Sequence, residues 1–475
     1  MPEISIKCSL IVGRNEIDWI EIEGFRGFGR KIHIDLAKPN GKVGSGLTII
    51  VGPNNSGKST IIEGFHALAG TEEPSFNELK RNKNVQYKLS IKIRRMNGEE
   101  KELRTIKGGG SETEWIKKEE KSKALPIYVL PSRRRFDPFL SGEAKSLKEE
   151  RENYISNTSM SGNRGEEMDR FAVRIFKWQR DEKRFNSDLK KILGTLPNWS
   201  IEQFPSGGFY LKFDYNGFVH TSEGLGDGII NIFFIVDALY DSGEQQTIVI
   251  DEPELSLHPS LQKKVFKLLA EYAKDRQIVM ATHSPYFVDF DYIKNGAKII
   301  RTVKEDTNIN VYNLEQESIN KIESLLKDLN NPHIFGLSAR EVFFLEDKII
   351  LVEGQEDVVF YNKICKDLNI PLSGNFFGWG VGGASKMRIV AQILKDLGFK
   401  KVVGILDSDK KDEKSLLSNE FEDYSFLIIP AKDVRYKDRV KEKLAVEGLW
   451  KNGKIQEKYK KGITNIFNQI NKYLS

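Results

Sequence analysis

The sequence predicts an α/β protein of two consecutive units, each a mainly parallel sheet covered by helices. Three observations predict it. Leu47-Thr48-Ile49-Ile50-Val51 and Thr247-Ile248-Val249-Ile250 are short apolar runs of the kind buried on both faces of a parallel sheet. Such runs alternate with stretches of helical periodicity. The same alternation starts afresh near residue 345.

The 475 residues suffice for two or three domains, and 39% hydrophobic with 30% charged residues is a soluble, globular composition. No apolar run approaches bilayer length, and Met-Pro-Glu-Ile-Ser-Ile-Lys lacks a signal-peptide layout, so a cytoplasmic protein without a membrane partner is expected. Cys8 and Cys365 are the only cysteines, which argues against a disulfide framework or a Cys-based zinc site. Residues 431–475 hold twelve Lys/Arg against five Asp/Glu. That basic tail either meets phosphates or forms a solvated helical face.

Residues 19–36 read as two strands joined at Gly24-Phe25-Arg26-Gly27-Phe28-Gly29, and Leu47–Val51 as a buried strand feeding a helix over 60–68. Residues 86–130 read as a run of strands interrupted at Gly108-Gly109-Gly110, and 143–194 as a charged helical insert. A strand pair near 209–220, a helix over 222–240, strands at 247–250 and 278–281 and a helix over 259–273 complete the first unit, 1–314. A helical connector, 315–343, breaks at Asn330-Asn331-Pro332. The second unit, 344–475, has strands at 347–352 and 402–406, helices at 358–369 and 384–397, and the basic tail.

Gly52-Pro53-Asn54-Asn55-Ser56-Gly57-Lys58-Ser59 lies between a buried strand and a helix, the context a phosphate-binding loop requires. Backbone amides of Asn54, Asn55 and Gly57 and the helix N-terminus through Thr60 suit phosphate oxygens. Lys58 would neutralise the β- and γ-phosphates of ATP, and Ser59 would ligate Mg2+. The strand ending in Asp251-Glu252-Pro253-Glu254 supplies Asp251 for the Mg2+ shell and Glu252 as general base. His283, after the next strand, is a candidate for orienting the attacking water.

These motifs resemble the ABC-type P-loop ATPase heads of the SMC and OLD (overcoming lysogenization defect) families. The resemblance implies two heads sandwiching ATP, with Ser222-Glu223-Gly224 as the signature segment and Leu255-Ser256-Leu257-His258-Pro259 at the dimer interface. Ser222 and Gly224 would then contact nucleotide on a partner head. Leu225-Gly226-Asp227 departs from the transporter-type signature, and Arg133 stands near where a glutamine loop is usual. About 160 residues between loop and signature are too few for long coiled-coil arms, so the insert reads as a short dimerisation or regulatory element.

The second unit carries a different set. Glu353-Gly354-Gln355-Glu356-Asp357 follows a buried strand, and Glu353 and Asp357 converge if the turn opens directly into a helix. Asp407-Ser408-Asp409 follows Val402–Leu406, and strand alternation would turn both aspartates to one side. Such acids are costly to gather without a cation, and all-oxygen ligands favour Mg2+ or Mn2+. The glycine-rich Trp379-Gly380-Val381-Gly382-Gly383 turn leads to Lys386, a candidate to hold a phosphate or balance the acids.

The ordered set resembles a TOPRIM domain, and an ABC head followed by TOPRIM is the OLD layout. His333–Arg340 resembles the OLD junction. The resemblance implies a homodimeric or larger ATP-dependent, metal-dependent endonuclease acting on double-stranded DNA in anti-phage defence, with a second protein as a possible component. It also implies a late basic residue in the metal site, for which Lys432 and Lys437 are candidates. The runner-up is an ATP-gated nucleic-acid clamp or sensor whose degenerate TOPRIM recruits an effector.

Overall fold

The structure is a computed structural model and describes residues 16–69, 74–86, 88–106, 110–116, 125, 127–132, 182–196, 198–203, 209–215, 218–221, 226–241, 246–320, 347–438 and 445–475. The chain divides into two compact units between Val311 and Tyr312. Cys8, Arg133, Ser222, Gly224, most of the expected insert, and 321–343 of the expected connector lie outside the described residues.

In the first unit, β1 (Ile17–Glu23), β2 (Ile32–Asp35), β4 (Ser90–Arg95), β5 (Glu100–Thr105) and β6 (Thr113–Ile116) form an antiparallel sheet in the order β2-β1-β4-β5-β6. A second sheet contains β3 (Leu47–Val51), β7 (Ile127–Leu130), β11 (Thr247–Asp251), β12 (Gln277–Ala281), β13 (Lys298–Glu305) and β14 (Asn308–Asn313), in the order β14-β13-β3-β12-β11-β7. Its pairings from β13 to β7 are parallel. The expected run of strands over 86–130 is therefore split between two sheets. Hydrophobic pattern explains the split: β4 alternates, whereas all four residues of β7 are buried, as both faces of a parallel sheet demand.

β3, β11 and β12 are buried at every position. The Gln277 amide ties the two sheets together, accepting from Ile17 N–H at 2.8 Å and donating to Ile17 and Ala37 carbonyls at 2.8 and 2.9 Å. A buried amide without those partners would be costly. α1 (Lys58–Ala69) sets Ile61, Phe65 and Leu68 into the core shared with Ile20 and Ile22 of β1.

The described end of the insert is α2 (Glu182–Leu193), whose spacing sinks Phe185, Leu189 and Ile192 into the domain. Phe185 meets the rings of Trp199 and Phe233 at 5.5 and 5.7 Å, so 182–193 belongs to the core of the first unit. Trp199 lies on β8 (Asn198–Gln203), which pairs with β9 (Phe209–Tyr215) and thence β10 (Phe218–Thr221). The expected strand pair is thus a three-stranded sheet. Phe233 lies on α3 (Asp227–Asp241); α4 (Pro259–Tyr272) and the short α5 (Phe290–Asn295) complete the unit.

The second unit is a four-stranded parallel sheet in the order β16-β15-β17-β18, made of β15 (Ile349–Leu351), β16 (Asn375–Phe376), β17 (Val402–Leu406) and β18 (Ser425–Ile428). Its connections run through α6 (Gln355–Leu368), α7 (Ala384–Asp396) and α8 (Lys411–Glu420). β19 (Asp433–Arg435), β20 (Gly448–Lys451) and β21 (Lys454–Ile455) form a small sheet, followed by α9 (Glu457–Leu474). α9 buries Ile463, Phe467, Ile470 and Leu474 at helical spacing, while Lys458, Lys460, Lys461 and Lys472 stay exposed. Four of the twelve basic residues of the tail therefore lie on the solvated face of a packed helix. Among the described residues, no helix is long and apolar enough to cross a membrane.

Candidate active sites

The first site follows from strand order. β3, β12 and β11 are parallel neighbours in register, so their C-terminal ends deliver the phosphate loop, Thr282-His283 and Asp251-Glu252 to one edge. The loop's backbone is specialised: Gly52 and Gly57 have φ of 142° and 91°, and Asn55 is left-handed at 60°. A Cβ on Gly52 would lie 2.2 Å from the Thr302 carbonyl, so only glycine fits there.

Lys58 Nζ donates to the Gly52 and Pro53 carbonyls at 3.0 and 2.8 Å. Burial lowers its pKa to about 8, opposed by the nearby Asp251, Glu252 and Glu254. Ser59 Oγ donates to Asp251 Oδ1 at 3.4 Å, so hydroxyl and carboxylate stand together as a shared Mg2+ would need. Asn55, Ser56, Gly57, Lys58, Ser59, Thr60 and His283 line a cavity of about 350 Å³; Asn54 is exposed beside it in the loop.

Glu252 adopts a left-handed backbone, φ 51°, with its N–H donating to the Ala281 carbonyl at 2.8 Å. Such strain persists only where surrounding structure enforces it. Two residues on stands Glu254, unassigned from sequence. Its carboxylate accepts from Thr282 Oγ1 at 2.8 Å and from His283 N–H at 2.6 Å, clamping the acidic turn to the histidine turn. Burial raises the Glu254 pKa. The His283 ring reaches solvent, yet desolvation by its surroundings and the Lys58 charge lower its pKa, which favours neutral imidazole near pH 7. Arg26 and Lys304 also line the cavity, and neither stands in a motif that announces it.

The second site lies at the C-terminal edge of the β15–β17 pair. Glu353 leaves β15, and its carboxylate accepts from Asp407 N–H at 3.3 Å and from Ala384 N–H at the start of α7. Burial raises its pKa, against the Asp407 amide and Lys410 and with Asp409. Asp357 sits in the first turn of α6 and accepts from Gly354 N–H at 2.8 Å, so it caps the helix while facing the cluster. Its pKa rises to about 6 through burial and the charges of Glu353 and Asp433. The Asp407 carboxyl is pushed up to about 8 by burial, then by Glu353, Asp357, Asp433 and Asp409.

The expectation that Asp407 and Asp409 share one side through strand alternation is corrected. β17 ends at Leu406, and Asp407 opens a turn closed by Lys410 N–H on its carbonyl. Asp407 is half-buried; Asp409 is exposed. Asp433, on β19, is an acid the sequence did not single out, because nothing local marks it. Lys437 pairs with Asp433 and, at 3.5 Å, with Glu356, whereas Lys432 is exposed. Lys386 lies half-buried in the first turn of α7, and the charge of Lys410 acts on Glu353. Among the described residues, no three His, Cys, Asp or Glu side chains close into a finished ion cage. The donor chemistry still suits a divalent cation: acids forced into one electrostatic neighbourhood, with two of them driven toward protonation.

Known proteins match both halves of this arrangement. Residues 47–289 match the family described as "AAA domain, putative AbiEii toxin, Type IV TA system", and 344–409 match the TOPRIM domain of overcoming-lysogenization-defect-like proteins. An OLD nuclease of Thermus scotoductus is 25% identical over 239 residues, covering 47% of this chain and 45% of that one. Endonuclease GajA of Bacillus cereus is 27% identical over 213 residues, covering 43% and 34% respectively. The chain spans less than half the length of these two relatives. The Smc head bound to the C-winged helix domain of ScpA covers 64% of this chain and 99% of its own at 17% identity, with a TM-score of 0.43, too low to carry an argument. The chain belongs to the AAA-domain family that matches residues 47–289, and an OLD-like TOPRIM domain follows in the same polypeptide.

Proposed function

We propose that this chain is an OLD-type nuclease: an ATP-hydrolysing head coupled to a metal-dependent endonuclease acting on double-stranded DNA. The gathering of Glu353, Asp357, Asp407 and Asp433 around one sheet edge carries the reading, since acids are brought together at this cost where a cation compensates them. Glu353, Asp357 and Asp407 hold Mg2+ or Mn2+, with Asp409 at the exposed rim. A bound divalent cation supplies Lewis acidity for hydrolysis of the phosphodiester. The protein's own residues do the rest: the Asp407 and Ala384 amides orient Glu353, and Lys437 offsets the acids beside Asp433.

In the head, Lys58 and the loop amides bind the phosphates and Ser59 with Asp251 holds Mg2+. Glu252 takes the proton of the attacking water, and His283, fixed by Glu254, orients that water. Two heads act together, as the resemblance suggests, and ATP turnover times the cutting. Anti-phage defence is the setting that the OLD resemblance suggests.

Incubation of the purified chain with plasmid DNA, Mg2+ or Mn2+, with and without ATP, tests this. Cleavage lost in Asp407→Ala, and retained with its dependence on ATP altered in Glu252→Ala, supports the proposal. Brisk ATP turnover with no cleavage under either metal refutes the nuclease and favours the ATP-gated clamp.

A further inference from the structure

Trp379 is a large apolar side chain left 45% exposed, one residue before Gly380, whose backbone packs against Gly354 next to Glu353. It sits in the Gly378-Trp379-Gly380 turn, with Gly378 at φ 52° and Gly380 at φ 93°. That turn is fastened on both sides. Phe377 N–H donates to Ile350 O at 2.9 Å and Gly380 N–H to Phe377 O at 3.1 Å; Val381 N–H reaches Val352 O, and the Gly382 and Gly383 amides reach Glu353 O, all three at 2.8 Å. Gly380 lies so close to Gly354 that a Cβ there would come within 2.6 Å of its Cα.

The indole is thus held one residue from a glycine packed against the Glu353-Gly354 turn. An exposed tryptophan on a flexible loop can fold back on the protein, but this one is carried by a pinned, glycine-shaped backbone. It is not among the buried core residues of the unit, which include its neighbours Phe377 and Val381. The substrate class proposed above brings one flat apolar group to this edge, the nucleobase. In an intact duplex the base faces are stacked on each other and closed to a side chain; in a single strand, flap or gap they are open.

We propose that Trp379 stacks on an unpaired base of the strand presented to the carboxylates, so that among double-stranded DNAs the nuclease site prefers those carrying a single-stranded or locally unpaired element. This rests on the nuclease reading. Trp379 acts here as a substrate-positioning and specificity residue.

The test measures binding of the full chain to three oligonucleotides of one sequence, namely a single strand, a gapped duplex and a blunt duplex, in Ca2+ buffer, followed by cleavage in Mn2+. A 2-aminopurine placed at the unpaired positions reports stacking directly. Trp379→Ala is expected to weaken binding to the single strand and gapped duplex about ten- to a hundredfold more than to the blunt duplex, and to abolish the 2-aminopurine quench. Trp379→Phe, which keeps an aromatic face, is expected to restore most of both. Equal losses on all three DNAs, no loss on any, or a quench that survives Trp379→Ala overturns the assignment while leaving the nuclease reading intact. Wild-type protein that neither binds nor cuts any of the three overturns both.

Discussion

Replacing Asp407 by asparagine removes a negative charge from the place where this protein tolerates it least. The Asp407 carboxyl is pushed from its ordinary 3.8 to about 8 by burial and by Glu353, Asp357, Asp433 and Asp409. Because the folded pKa lies above the unfolded one, the charge is a penalty on folding. The penalty is absent below about pH 4, grows through the interval to about pH 8 and is complete above it. At about pH 7, a shift of this size corresponds to roughly 4 kcal/mol, and solvent screening at a half-buried position brings the working figure to about 2 kcal/mol. Asparagine keeps the shape, and the bonds of the Asp407 backbone to Glu353 and Lys410 are untouched by the change. In EDTA near neutral pH, Asp407→Asn should therefore melt about 4–8 °C above wild type, as expected for a unit of this size. Lowering the pH to about 4.5 should shrink that gap. Adding Mg2+ or Mn2+ should raise the wild-type melting temperature and leave the variant's nearly unchanged. Thermal unfolding followed by circular dichroism reads all three effects. A variant melting at or below wild type in EDTA, or one still stabilised by cation as strongly as wild type, refutes the reasoning.

Glu252→Gln should retain ATP binding while slowing turnover about a hundredfold or more, and Lys58→Ala should lose binding itself; equilibrium binding beside phosphate release separates the two. Because desolvation and Lys58 lower the pKa of His283, the acidic limb it sets in ATP turnover should lie below pH 6.5, and a pH profile of His283→Ala should lack that limb. Gly380→Ala forces a side chain onto Gly354 at a left-handed φ, so DNA cleavage should fall at least tenfold with ATP turnover intact; equal loss of both activities contradicts independent sites. Phe185→Ala should destabilise the first unit by about 3–5 kcal/mol in urea unfolding, since the ring is 1% exposed; a surface-like response would return α2 to an accessory insert.

Much of this protein was legible in its sequence because local chemistry carried it. The strand–glycine loop–helix run from Leu47 to Ala69 fixes its own geometry, and no distant residue is needed to recognise Lys58 and Ser59. Asp251-Glu252 and Glu353-Gly354 likewise stand at the ends of apolar strands, where parallel sheets open their binding edge. Tertiary structure decided what depends on residues remote in sequence. The clamp of Glu254 on Thr282 and His283 exists only because β11 and β12 are neighbours. Asp433 joins Asp357 and Asp407 from a short strand with no motif, and Lys437 follows because its carboxylate partners stand there. β7 leaves its sequence neighbours for another sheet, since burial of both its faces outweighs proximity along the chain. Strand alternation does not relate Asp409 to Asp407, because β17 stops at Leu406 and alternation holds only while the strand lasts.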